Sequence, residues 1–445
     1  MTAPALLDPP VTAGAPAAAP PVSRSRRFDP LAVTATSLMA NTAVTAALGM
    51  AFWAVASRRY SAGQVGEDAA LISAMMLLSV VSQLNLAMGI SRLLPQVHAR
   101  RWRPVAAAYG LTAVVAVVLT GAFVAVAPRV SGGFRALVEH PQLAAALIVA
   151  VVLWNVFALQ DAVLTAARWA VALPIENGLF GVLKIGLMVV LVARFAGHGI
   201  FVAWLAAMAV MLLPVNALVF GKVLPAGSRG ATAPTALPLA DRRLVTRYLA
   251  VDYVAALLSQ AYTTMLPLLV VAVLGQADNA YFYIAFVIAG AVRAVAQSMS
   301  TSLVVEAAHD ESELATLTRR SVRRYTRFAI PGTAVLTLGA GLLLLPFGAE
   351  YSDRATTLLR LLLVSTVPHA VVTLYLGVER VRARARRVLA VEAATGLLVA
   401  VGVVLGMRWF GLTGVGVGWL AAQTVVALLV LPLLRNVWRH QEPHR

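Results

Sequence analysis

Apolar residues run along this chain in long unbroken stretches, not in alternation. Each stretch exceeds the roughly 18 residues needed to cross a hydrocarbon core about 30 Å thick. The pattern predicts twelve spans. They lie near 31–57, 69–90, 105–127, 142–167, 174–195, 200–224, 248–274, 280–305, 328–347, 355–378, 388–407 and 412–434. In lipid the backbone must satisfy its own polar groups, which leaves helices or a closed barrel. Barrel strands would alternate, so helices are predicted. Turn chemistry separates several spans. "GQADNAY" places Asp278/Asn279 as a predicted cap for span 8, and "GQVGEDAAL" places Glu67/Asp68 likewise for span 2.

Polar positions interrupt the rhythm most strongly at "PAGSRGATAPTALPLADRRLVTRY". The predicted organisation is a disordered tail (1–30), a six-helix lobe (31–224), a linker (225–247), a second six-helix lobe (248–434) and a short tail (435–445). A weak internal repeat supports two related lobes. "GIFVAWLAA" opens span 6 and "GVGVGWLAA" opens span 12, aligning Trp204 with Trp419. Upstream, "LPIENGLFGVLK" aligns with "LAVEAATGLLVA", pairing Glu176 with Glu392. Each half starts and ends on the same side, so the halves relate by an axis along the membrane normal. The fold class is all-α integral membrane, with twelve transmembrane helices in two pseudo-symmetric six-helix lobes.

Composition agrees. Of 445 residues, 60% are hydrophobic and 12% charged; soluble domains run at about 45–50% and about 25%. The chain has no cysteine, which removes disulfides and thiolate metal sites, and its histidines form no pair at ligand spacing. No metal or cofactor is expected. The Pro/Ala-rich start lacks the apolar core of a cleavable signal peptide.

The net charge of +17 would suit nucleic acid, but its distribution argues otherwise. Of the 36 Arg and Lys residues, 26 fall on the side holding both tails, here side A; 7 fall on the opposite side B; 3 lie within spans. The positive-inside rule places side A and both termini in the cytoplasm of a plasma (inner) membrane protein. The charge is an orientation signal facing anionic lipid head groups, and no nucleic-acid partner is expected.

Charges inside spans cost at least a few kcal/mol and usually face a cavity or a partner. Lys184 in span 5 and Arg293 in span 8 lie near mid-depth. Arg360 lies about one turn inside the side-B end of span 10. Arg293, Gln297 and Ser300/Thr301 form a polar stripe at helical spacing, and Lys184 shares a face with Asn177 and Gly181. Neutral polar positions include Asn41, Gln260, His369 and Gln423. The acids read as peripheral. Asp161 is set for a helix-end pair with Arg168. Glu176 and Glu392 are set to pair with loop arginines or to sit at helix starts, where the dipole favours anions. Arg keeps its proton, so Arg293 requires a partner or water. A bound anion would supply one, and a pyrophosphate suits the guanidinium fork. Snorkelling or an internal pair is the other reading of these cations.

Two stretches carry a resemblance. "NTAVTAALGMAFWAVASRRYSAGQVGEDAALISAMMLLSVVSQLNLAMGISRLLPQ" (41–96) and "LPFGAEYSDRATTLLRLLLVSTVPHAVVTLYLGVERVRAR" (345–384) resemble bacterial polysaccharide-type flippases. Those belong to the multidrug/oligosaccharidyl-lipid/polysaccharide (MOP) exporter superfamily. The match in order and spacing covers residues 31–434. It implies a V-shaped pair of lobes around a central cavity, alternating access, and a lipid-linked saccharide substrate moved between leaflets, with polysaccharide-assembly partners. Substrate contacts would come from Arg293, Gln297, Lys184, Asn41 and Arg360. The arginine cluster that lipid II flippases carry in spans 1, 2 and 8 is matched here only by Arg293.

The alternative within the superfamily is a cation-coupled multidrug or small-molecule exporter, which usually needs a buried carboxylate. Span 1 offers Asn41 instead, though Asp161 or Asp252 could serve. An enzyme is disfavoured. The side-B loops are short, and no Walker motif is present.

Overall fold

The structure is a computed structural model and describes residues 30–94, 97, 100–167, 169–191, 197–226, 239–307 and 314–439. The tail at 1–29, the last six residues and linker positions 227–238 lie outside the described residues. Every regular element among the described residues is helical.

Ten helices are long and apolar enough to cross a membrane. Span 9 adds another as a bent pair, Leu314–Leu338 with Ala340–Phe347, at 74°. The last helix, Ala385–Arg439, has 55 residues. At 1.5 Å per residue it would be far longer than a bilayer is thick. It reverses at Gly411, whose φ of 56° and ψ of −135° are open to glycine at little cost. Spans 11 and 12 then return along each other. Gly402 meets Gly418, and Gly406 meets Gly414, backbone to backbone. Small residues serve close helix packing here, as expected in lipid. The count of twelve is recovered.

Several boundaries differ from those predicted. Span 2 is Ala62–Ser82 followed by Leu86–Leu93, broken where Leu84 and Asn85 take positive φ. Span 10 is Ala349–Val364 followed by Thr366–Val381. Span 7 starts at Leu239, so the end of the predicted linker is helical. Apolarity alone did not mark these edges: the breaks in spans 2 and 10 fall inside apolar stretches, and span 7 starts in polar sequence.

In the first lobe, span 1 (Pro30–Arg59) packs on span 5 (Ala172–Leu191), and span 2 on span 4 (Pro141–Ala166). The second lobe repeats this: span 7 packs on the span 11–12 helix, and span 8 (Gln276–Ala307) on span 10.

One set of contacts joins the lobes at side B. Gly66 of span 2 lies against the Gln276 carbonyl of span 8, and Asn279 Nδ2 donates to the Gly66 carbonyl at 2.7 Å. Asn279 was predicted to cap its own helix; it bridges the lobes instead. Arg58 donates to the carbonyls of Pro346 (2.6 Å) and Leu345 (3.1 Å). Trp53 packs on Tyr283 with ring centroids 4.7 Å apart. In the side-A half, Thr42 and Ala46 of span 1, Gln260 of span 7 and Gln297 of span 8 are exposed.

Asp68 also departs from its predicted role. Span 2 is capped by Ser61 and Gln64 in a capping box. Asp68 is fully buried and accepts from the Ile200 and Phe201 amides, both at 3.0 Å, at the start of span 6 (Gly199–Leu218). The side-chain bond to Asp68 raises the His198 imidazole above its ordinary 6.5; burial opposes this, and the charges of Asp68 and Glu67 add to it. A pKa raised on folding stabilises fully below the unfolded value and loses that contribution as pH rises through the folded value. The melting temperature in detergent is therefore expected to fall as pH climbs from about 6.5 through that raised value. His198→Gln should flatten this profile; an unchanged slope would dismiss the pair as its source.

Candidate functional site

Lys184 lies in a box of three rings. Its Nζ is 3.9 Å from the centroid of Trp204, 4.7 Å from Phe52 and 5.1 Å from Phe180. The rings come from spans 1, 5 and 6. Phe52 and Phe180 each contact Trp204 edge to face, so the three rings form one packed cluster. Gly181 lies against Leu48 of span 1, which brings the Lys184 turn close to the Phe52 turn. Only 6% of Lys184 is exposed.

Arg293 repeats the arrangement in the other lobe. Its Cζ is 4.4 Å from Phe286 and 5.4 Å from Trp419. Trp419 also touches Tyr262 at 6.1 Å. A cation over an aromatic face gains about 0.5–1 kcal/mol when exposed and about 2 kcal/mol or more when desolvated. That is less than the cost of burying an unpaired charge. Among the described residues no carboxylate lies within ion-pair distance of either cation. The Nη1 of Arg293 is buried with no hydrogen-bond partner among them. Trp204 and Trp419, matched by the sequence repeat, thus hold the two mid-depth cations of the two lobes.

The other predicted contacts divide. Gln297 is exposed one turn from Arg293 toward side A. Ser300 is not part of that polar face; its hydroxyl donates to the Thr373 carbonyl and ties span 8 to span 10. Asn41 keeps a buried Oδ1 without a partner among the described residues. It lies about one turn nearer side A than Val44, which abuts Gly178 of span 5. Arg360 does not join the set. It is exposed, and its Nε donates to the Thr337 carbonyl of span 9 at 3.3 Å. Its position on the face toward span 9 separates it from the two boxes.

The acids are less peripheral than their sequence positions suggested. Glu176 and Glu392 are 5% and 4% exposed. Glu176 accepts from Gln160, not from an arginine. Gln160 accepts in turn from Asn216 at 2.9 Å, and Asn216 from Tyr109 at 3.1 Å. Asp161 accepts from Asn177 at 3.5 Å; its predicted partner Arg168 lies outside the described residues. Each of these two carboxylates retains an oxygen with no partner among the described residues. Glu392 lies 3.9 Å from Arg380, which also reaches Asp252 at 3.3 Å. Sequence reading missed the aromatic boxes and the Tyr109–Asn216–Gln160–Glu176 chain, because their members come from separate spans. The aligned tryptophans were the one available signal.

The architecture is shared with solved transporters. The chain superposes on the MATE multidrug transporter DinF-BH with a TM-score of 0.62, at 15% identity, covering 92% of this chain and 96% of that one. With an inward-facing multidrug resistance MATE transporter of the MOP superfamily the TM-score is 0.61 at 15% identity, over 92% and 99%. With a MOP superfamily transporter from Pyrococcus furiosus, whose binding pocket is described as being of reverse polarity, it is 0.52 at 16% identity, over 92% and 96%. No protein-family model matches the chain, and no curated protein sequence does. At these identities the likeness establishes the fold alone.

Proposed function

We propose that this chain is a MOP-superfamily flippase. It moves an anionic lipid-linked saccharide from the cytoplasmic to the outer leaflet of the plasma membrane, for cell-surface polysaccharide assembly. Both termini face the cytoplasm, by the arginine distribution. The reading is carried by one observation: each lobe holds a mid-depth cation on aromatic faces, and no carboxylate among the described residues neutralises either. A pyrophosphate entering from side A would bring the missing charge, with Gln297 and Asn41 near its path. Arg293 leads binding because its fork matches phosphate oxygens; Lys184 adds a point charge from the opposite lobe. Alternating access follows if the side-B contacts open once the charges are paired. The chain performs no bond chemistry in this scheme.

A second reading has its own observation. Asp161 and Glu176 are neighbouring carboxylates with unpartnered oxygens, which suits a cation-coupled exporter. Proteoliposomes separate the two. Expected is movement of a fluorescent polyprenyl-pyrophosphate saccharide across the bilayer, reduced at least tenfold by Lys184→Met. Absence of that movement, together with proton- or sodium-driven efflux of an organic cation, would replace the first reading with the second.

A further inference from the structure

The second lobe contains a cavity of about 290 Å³ that the two cation boxes do not use. It is lined by polar groups from five spans: Gln260 and Tyr262 of span 7, Gln297 of span 8, His369 of span 10, Glu392 of span 11 and Gln423 of span 12. Gln260 and Gln297 are exposed, so the cavity opens on the face bared in the side-A half. Its inner wall is costly. Gln423 is fully buried, and neither its amide oxygen nor its amide nitrogen has a hydrogen-bond partner among the described residues. It lies beside His369, whose Nδ1 is also without a hydrogen-bond partner among the described residues. A leucine at 423 would avoid that cost, so packing does not account for the glutamine.

We infer that this cavity binds one pyranose unit, the sugar next to the phosphate, in the flippase reading on which this inference rests. The chemistry matches. Three primary amides can each give and take a hydrogen bond with neighbouring hydroxyls. Glu392 accepts, Tyr262 offers a ring face, and Gln423 and His369 supply open valences. No lining group demands a charged ligand, because Arg380 is paired with Asp252 and Glu392. The volume equals on the order of ten waters at about 30 Å³ each, which suits a single ring and not a chain of them. Arg293 lies one helical turn beyond Gln297 toward side B, and its Trp419 lies one turn from Gln423 on span 12. A phosphate on Arg293 therefore leaves its first sugar at the cavity.

The test uses the purified full chain and saturation-transfer NMR. The probes are methyl glucoside, methyl galactoside, N-acetylglucosamine and glucose 1-phosphate. Expected is saturable binding of at least one neutral pyranose. Gln423→Leu and Gln297→Leu should each weaken it at least tenfold, and Gln423→Leu should raise the melting temperature. Arg293→Gln should keep neutral-sugar binding and lose any preference for glucose 1-phosphate. If no probe saturates, or if Gln423→Leu binds them as wild type does, the cavity is only a hydrated pocket and the inference fails. Transport of the lipid-linked substrate decides the parent reading separately. Movement without pyranose binding sinks the sugar site alone, whereas pyranose binding without movement keeps the site and sinks the flippase.

Discussion

Arg293→Ala is expected to reduce export of the lipid-linked saccharide by at least about 100-fold while leaving the amount of protein in the membrane at the wild-type level. Two hydrogen bonds to a charged ligand are worth about 1.5–3 kcal/mol each, and each 1.4 kcal/mol is a tenfold factor. The fold should not suffer. Removing one partner of a buried ion pair is destabilising because it strands the other. Arg293 has no such partner among the described residues, so its removal strands nothing and leaves Phe286 and Trp419 to close on a smaller side chain. Arg293→Lys should restore only part of the activity, since an ammonium keeps the charge and loses the fork. Quantitative transport with membrane-abundance controls checks all three. Full export by the alanine variant would remove Arg293 from the mechanism, and loss of the protein from the membrane would make it a folding residue.

That prediction rests on a feature only half visible in the sequence. The continuous apolar stretches revealed the helices, because lipid imposes one backbone solution, and the Arg and Lys bias marked the two sides. Lys184 and Arg293 stood out because charge at mid-depth is expensive. What surrounds them was not legible. Phe52 and Lys184 are far apart in sequence and meet only because Gly181 lets span 5 approach Leu48. A one-dimensional reading of Glu176 and Glu392 set both to pair with loop arginines or to sit at helix starts; Glu392 does meet Arg380, whereas Glu176 accepts from Gln160. They are enclosed by side chains of other spans, Gln160 beside Glu176 and Arg380 beside Glu392, which no local pattern records. Arg360 is a related case: depth along span 10 was readable, but the face was not, and its Nε donates to the Thr337 carbonyl of span 9. Asp68 shows the same limit from the other direction. Its N-capping chemistry was recognised, yet the amides it satisfies belong to span 6.

Closure at side B depends on an absent side chain. A Cβ at Gly66 would sit 1.7 Å from the Gln276 carbonyl oxygen and 2.9 Å from the Ala280 nitrogen. Both obstacles are backbone, so no rotamer change relieves them, and Gly66→Ala must push spans 2 and 8 apart. Overpacking costs about 1–3 kcal/mol, sometimes more. The penalty falls only on the state closed at side B, so the ratio of open to closed should rise by about 5- to 150-fold. The native chain has no cysteine, so a single reporter suffices. Tyr283 is 8% exposed beneath Trp53 in the closed contact. In a Tyr283→Cys background, Gly66→Ala should make the thiol reactive to an impermeant maleimide added at side B, and transport should stop. Asn279→Ala makes a graded control. It removes one hydrogen bond to the Gly66 carbonyl, worth about 1 kcal/mol, so labelling should rise only several-fold. If Gly66→Ala labels and transports as its parent does, the side-B contact is not the gate. If it labels freely while Asn279→Ala stays silent, closure depends on backbone contact at Gly66 and not on the amide bridge.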